Sequence, residues 1–238
     1  MLGSLSMASV VLGAFRTVWL NRAAFLRSLA LPGSLLVVLF VGGSYGIPGP
    51  LWLAFMAFAL YAAIFAVYAV ICHRLVLLPE AASSSSWMPR ITGRETRFLA
   101  WLVSVWVMAI GSVLIVVMVL VNLLPTDTFE QFKGAQVAFM AATSYMFGRL
   151  CMVFPAAAID HRPSVKWSWD LTRGNGWKLA VIVGVLPWVI KEGLSLLFRQ
   201  EASFVETLII AAAAVALIAV EVAAVSLSYR ALTAREPS

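Results

Sequence analysis

The sequence predicts an all-α fold: a polytopic transmembrane helical bundle of six spans, with an N-terminal amphipathic interfacial helix and an interfacial segment between spans four and five. Three observations carry that expectation. Of 238 residues, 62% are hydrophobic and only 12% charged, against roughly 45–50% and about 25% in a soluble globular domain. A water-soluble fold of this length would lack the polar side chains to cover its surface, which excludes a soluble enzyme, a nucleic-acid module and a disordered tail. Uncharged blocks recur at about the 20-residue length that crosses a bilayer. The Lys and Arg residues gather in alternate loops.

In chain order, residues 4–28 project as a helix with Val11, Phe15, Val18, Trp19, Phe25 and Leu26 on one side. Ser9, Arg16, Thr17 and Arg27 fall elsewhere, which suits a helix lying among head groups. Arg22 sits inside the apolar arc and has to snorkel. No basic residue precedes the first apolar run, and Arg16 comes before any Ala-x-Ala-like site, so a cleaved signal peptide is not expected. Residues 28–72 carry no formal charge and are too many for one helix; Gly46-Ile47-Pro48-Gly49-Pro50 divides them. The resulting spans are about 29–43 and 51–72, the first short enough either to continue from the preceding helix or to be half-inserted. Span three is about 98–126. Span four, about 135–158, is interrupted once, by Arg149. Span five, about 179–198, holds Pro187, Lys191 and Glu192, and span six, about 205–229, holds Glu221. Residues 1–238 thus read as one integral membrane domain.

Six spans place both termini on one side. The N-terminal segment, the second and fourth loops and the C-terminus hold thirteen basic residues, and the opposite side holds three, Lys133, Lys191 and Arg199. Cytoplasmic loops are the ones enriched in Lys and Arg, so both ends are assigned to the cytoplasm. The net charge of +6 then reads as topology plus attraction to anionic lipid head groups, with no nucleic acid as partner. Cys72 and Cys151 are expected as free thiols, since two cysteines do not make a disulfide framework. Ser83–Ser86 is a low-complexity cytoplasmic linker.

The most unusual local sequence is Trp167-Ser168-Trp169-Asp170-Leu171-Thr172-Arg173-Gly174-Asn175-Gly176-Trp177. A short interfacial helix explains it: Trp167, Trp169 and Trp177 sit at head-group depth with Arg173 as a further anchor, Asp170 pairs with Arg173, and Gly174 or Gly176 ends the helix. A phosphate loop is the alternative, but the Walker pattern is missing.

Arg149 and Glu221 are the candidate intramembrane polar pair, since buried charge in a bilayer is costly and usually paired. Arg149 lies nine residues before Ala158 and Glu221 eight before Tyr229. At about 1.5 Å per residue both reach a depth of roughly 12–14 Å, with Tyr145 one turn before Arg149. An ion pair fixing spans four and six is preferred over a proton or anion site. Lys191 and Glu192 are assigned to the outer surface. Ile-x-His-Arg recurs at His73-Arg74 and at His161-Arg162, the ends of spans two and four. Two histidines with only Asp160 nearby make no metal set, and no catalytic, metal or cofactor motif stands out. Ala211–Ala214, Ala216, Ala219, Ala223 and Ala224 permit close helix packing, equally for a bundle, a protein partner or a homo-oligomer.

The stretch Arg149…Phe154-Pro155-Ala156-Ala157-Ala158-Ile159-Asp160, then Trp169…Thr172-Arg173-Gly174-Asn175-Gly176-Trp177, resembles a pattern in the bacterial six-span YciC-like family, related to the membrane domain beside some glycerophosphodiester phosphodiesterases. Trp19-Leu20-Asn21-Arg22…Leu31-Pro32 is similar to the opening amphipathic helix of that family. The resemblance implies a bacterial inner-membrane protein without the phosphodiesterase domain. The expectation is therefore a non-catalytic protein of envelope or lipid organisation or a membrane-complex subunit, the alternative being a small transporter or channel using Arg149 and Glu221.

Overall fold

The computed structural model describes residues 5–45, 50–78, 80, 92–123, 133–197 and 203–234. Side chains at 113, 116, 117, 120, 121, 123, 133–138, 191 and 194–197 lie outside that description, as do Ser83–Ser86 and the loop after span three. The described residues are helical almost throughout, with no strand among them.

Helix α1, Met7–Leu20, starts on Ser6, whose hydroxyl accepts from the Ser9 N–H, satisfying one of the orphan donors of the first turn. It ends at Asn21, and α2, Arg22–Ser44, begins at once. The N-terminal helix expected over residues 4–28 is therefore split at Asn21, and the first span reaches back to Arg22. Asn21 makes the break because its side chain turns back to bond the Thr17 carbonyl at 2.9 Å, competing with helical continuation. The buried face of α1 is Val10 and Ala14; of the apolar arc read from the sequence, Val11 and Val18 pack against the core, and Phe15 and Trp19 are exposed.

Helix α3 is Leu51–Leu77 and α4 is Gly93–Leu123. Span four is two helices, α5 at Lys133–Leu150 and α6 at Val153–Ala158. Pro155 explains the interruption: it has no N–H for the Cys151 carbonyl and its ring crowds that residue. The Cys151 carbonyl accepts instead from Phe154 N–H at 3.3 Å. Helix α7, Val165–Leu171, is capped by the Ser164 hydroxyl, which accepts from Trp167 N–H. A turn with Gly174 at φ +78 leads into α8, Gly176–Ala180, a π-helical turn at Val181–Val185, and α9, Leu186–Leu197. The wide turn lies directly before Pro187, which has no N–H to give the Val183 carbonyl. Helix α10, Phe204–Thr233, opens on a reciprocal capping box between Ser203 and Glu206.

Helix α10 is the central post, packed by α1, α2 and α3, while α5 packs against α4, α8 and the π-helical turn. The crossing of α5 with α8 and the π-helical turn is close because it runs through glycine: a Cβ on Gly148 would lie 2.4 Å from Ala180 N, and one on Gly184 would lie 2.2 Å from Ser144 Oγ. Three helices, α2, α3 and α10, are long and apolar enough to cross a membrane. Large apolar side chains on α3, including Trp52, Phe55 and Phe58, and on α4, including Val107 and Ile115, are more than half exposed. This is the surface of a membrane-embedded protein, since soluble monomers rarely show contiguous apolar patches of this kind.

Candidate functional site

The polar groups of the chain converge where α3, α6 and α10 end and α7 folds back. Arg149 is the last polar residue of α5 and only 5% exposed. Its Nη1 donates to the Thr172 carbonyl at 2.9 Å and its Nη2 to the Trp169 carbonyl at 2.7 Å. The guanidinium lies over the Trp169 ring, 4.3 Å from its centroid, a cation–π contact. The contact is returned, because Ser168 Oγ and Thr172 Oγ1 donate to the Arg149 carbonyl at 2.9 and 3.3 Å. Each helix end thus supplies donors to carbonyls at the other, and a cation sits at the C-terminus of α7 where the dipole favours it. Gly176 leaves room for the arginine, since a Cβ there would stand 2.6 Å from Arg149 Cδ. Tyr145 packs edge-on against Trp169, with ring centroids 6.4 Å apart.

No ion pair joins Arg149 to Glu221, contrary to the pairing read from their equal depth. Two donors of Arg149 are taken by carbonyls, and its buried Nε has no hydrogen-bond partner among the described residues. Glu221 lines a small space of about 20 Å³ between α10, α1 and the π-helical turn, beside Phe15, Ile182 and Pro187. The two charges belong to different surroundings: Arg149 closes against α7, and Glu221 faces α1 and the π-helical turn.

A second cluster forms around Asp160, which follows α6 and holds φ +66, a left-handed conformation that Asp tolerates better than most residues. Arg94 Nε and Arg97 Nη2 donate to its two carboxylate oxygens at 2.6 and 2.7 Å. Arg74 Nη1 stands 4.0 Å from the carboxylate and donates to the Ala158 carbonyl at 3.3 Å. Partial burial alone pushes the Asp160 carboxyl up, but Arg94 and Arg97 outweigh it and hold the group below the usual carboxylate range. Asp160 therefore ties α3, α4 and the end of α6 into one knot.

The two histidines of the Ile-x-His-Arg repeat both fasten to α10. His73 Nδ1 is 2.8 Å from Ser226 Oγ, and His161 Nδ1 is 3.0 Å from Tyr229 Oη. The N-terminus docks onto the same end: Leu5 N–H donates to Asn175 Oδ1 at 3.0 Å, and Lys178 Nζ donates to the Leu5 carbonyl at 2.9 Å. Nothing in the sequence pattern pointed to Leu5, because it takes part through its own backbone atoms and its partner Asn175 lies 170 residues away.

The four residues expected as interfacial anchors fall into two sets. Trp177 and Arg173 are exposed, with Arg173 Nη2 at 3.9 Å from Asp170 and Lys178 Nζ 5.6 Å from the Trp177 ring. Trp169 is covered by Arg149, and Trp167 packs on Tyr229 with centroids 6.2 Å apart. Glu192 is exposed, and the Lys191 side chain lies outside the described residues. Cys72 and Cys151 are free and buried. No group of three or more metal-ligating side chains occurs among the described residues.

Searches against known family models, characterised proteins and solved structures return no match for this chain.

Proposed function

We propose that the chain is a non-catalytic bacterial inner-membrane protein of the YciC-like kind, with six spans and both termini cytoplasmic, that organises lipid or serves as a subunit of a membrane complex. The observation that carries this reading is the mutual clasp of Arg149 with α7. It uses the buried basic residue of span four to close a platform at the basic end of the bundle. Around that platform lie Arg74, Arg94, Arg97, Arg162, Arg173, Lys178 and Arg230, a concentration of cations suited to anionic head groups at about 1 kcal/mol per residue near the surface.

A transporter or channel is the second reading, and one feature favours it. Glu221 faces a small space against the π-helical turn, and single π turns in helices recur at functional sites. The experiment that separates the two is excision of the protein from its membrane in polymer discs, followed by quantification of the enclosed lipid. Enrichment of anionic phospholipid over the bulk membrane supports the organising role. Bulk-like lipid, together with solute flux in proteoliposomes that is lost on Glu221→Gln, supports transport.

A further inference from the structure

We propose that the groove between the ends of α3 and α10 and the turn after α6 is a binding site for the phosphate of an anionic phospholipid. The inference deepens the membrane-organising reading and rests on it. The groove has a volume of about 620 Å³, within the roughly 300–1,000 Å³ of small-ligand sites. Its floor is apolar, with Leu77, Ala156 and Ile159, and its rim carries His161, Arg162, Trp167, Tyr229 and Arg230. No acidic side chain lines it among the described residues. Asp160, the residue before His161, is already neutralised by Arg94 and Arg97.

Arg162 is exposed and has no partner among the described residues, whereas Arg74, Arg94, Arg97 and Arg230 are engaged. It also lines a second groove of about 600 Å³ beside Arg97 and Trp101, so the His161-Arg162-Pro163 segment is a ridge between two basic hollows. Arg230 is held in place by a hydrogen bond from Nη2 to the Val76 carbonyl, and a guanidinium with five N–H donors keeps others for a phosphate. His161 Nδ1 is taken by Tyr229 Oη, which leaves Nε2 as the second hydrogen-bonding atom of the ring.

The depth of the groove decides between a lipid and a soluble phosphate. It opens where two apolar helices of spanning length, α3 and α10, reach their ends, and its aromatic pair, Trp167 with Tyr229, has the amphipathic character of the membrane interface. A phospholipid can set its glycerol and first acyl carbons on the Leu77–Ile159 floor while Arg162 and Arg230 take the phosphate.

The test is native mass spectrometry of the detergent-purified full chain, titrated with phosphatidylglycerol or with phosphatidylcholine of the same acyl chains. Wild type retains phosphatidylglycerol in preference to phosphatidylcholine. Arg162→Gln weakens that retention by about tenfold, the loss of one charge-assisted contact; Arg162→Lys restores part of it. The charge-matched control Arg16→Gln, on an exposed arginine outside the groove, retains as wild type does. Equal retention by Arg162→Gln and Arg16→Gln overturns the site, as does equal retention of the two lipids, or displacement of the bound lipid by soluble glycerol phosphate at matching concentration. If the site fails while anionic lipid remains enriched in polymer discs, the groove assignment alone falls. If enrichment is missing in wild-type discs, the reading beneath it falls too.

Discussion

The Arg149 guanidinium stands 4.3 Å from the centroid of Trp169, stacked on a residue twenty positions further along the chain and bonded to that residue's own carbonyl. One side chain thereby seals the end of α5 to the end of α7. Replacing it with lysine keeps the charge and loses the geometry, because an ammonium cannot serve two carbonyls and a ring face as a planar fork does. Arg149→Lys is expected to lower stability by about 2–4 kcal/mol, the loss of a charge-assisted hydrogen bond together with a weakened cation–π contact. Denaturant unfolding in detergent checks this; a stability equal to wild type contradicts it.

The glycine crossing of α5 with α8 makes a separate claim. A Cβ on Gly148 would meet Ala180 backbone at 2.4 to 2.8 Å, and backbone cannot rotate away as a side chain can. Gly148→Ala should therefore cost about 1–3 kcal/mol through overpacking, whereas Gly193→Ala, with open space around the site, should leave stability unchanged or slightly raised. The comparison of the two variants by thermal unfolding reads out the crossing directly.

Asp160 links stability to pH. Its carboxyl is held below the ordinary value of 3.8 in the folded chain, so the unfolded chain binds its proton first as pH falls. The stabilisation is full above that ordinary value and is lost as pH drops through the lower folded one. Asp160→Asn removes this contribution while preserving tolerance of the left-handed φ, and should flatten the acid limb of the stability curve. Asp160→Ala, which adds backbone strain to the charge loss, should be less stable than Asp160→Asn at neutral pH. Unfolding midpoints measured from pH 3 to pH 7 compare the three proteins; an unchanged acid limb in Asp160→Asn sinks the linkage.

Leu5 is clasped between Asn175 and Lys178, which anchors the start of α1 to the α7–α8 turn. Asn175→Ala is expected to free the first residues to an added protease, giving faster N-terminal clipping than wild type with α10 intact. Peptide mapping over time follows it, and identical clipping rates would contradict the docking.

The gaps between charges were enough to read the long apolar helices α2, α3 and α10, because apolar length is a property of the local sequence. Cys72 and Cys151 were also legible as free thiols, as was the spacing of Asp170 from Arg173. What escaped was wherever a backbone atom is the partner. Arg149 was assigned to Glu221 by equal depth, but its acceptors are the carbonyls of Trp169 and Thr172, which no side-chain pattern marks. Pro155 was a visible signal that span four breaks. Ser168 and Thr172, small polar residues at i and i+4 on one face of α7, were a fainter sign that this face is buried. The repeat of Ile-x-His-Arg was legible as a repeat, yet its purpose needed Ser226 and Tyr229, three residues apart on α10, to be seen opposite the two histidines.

The central claim is that Arg149 fastens the platform and does not act with Glu221. A double-mutant cycle with Arg149→Gln, Glu221→Gln and the combined variant, followed by denaturant unfolding in detergent, tests it most directly. The account predicts that the two effects add within about 0.5 kcal/mol, as independent sites do. A coupling energy above about 1 kcal/mol, with the double variant more stable than the sum of the singles allows, would contradict it and restore the intramembrane ion pair.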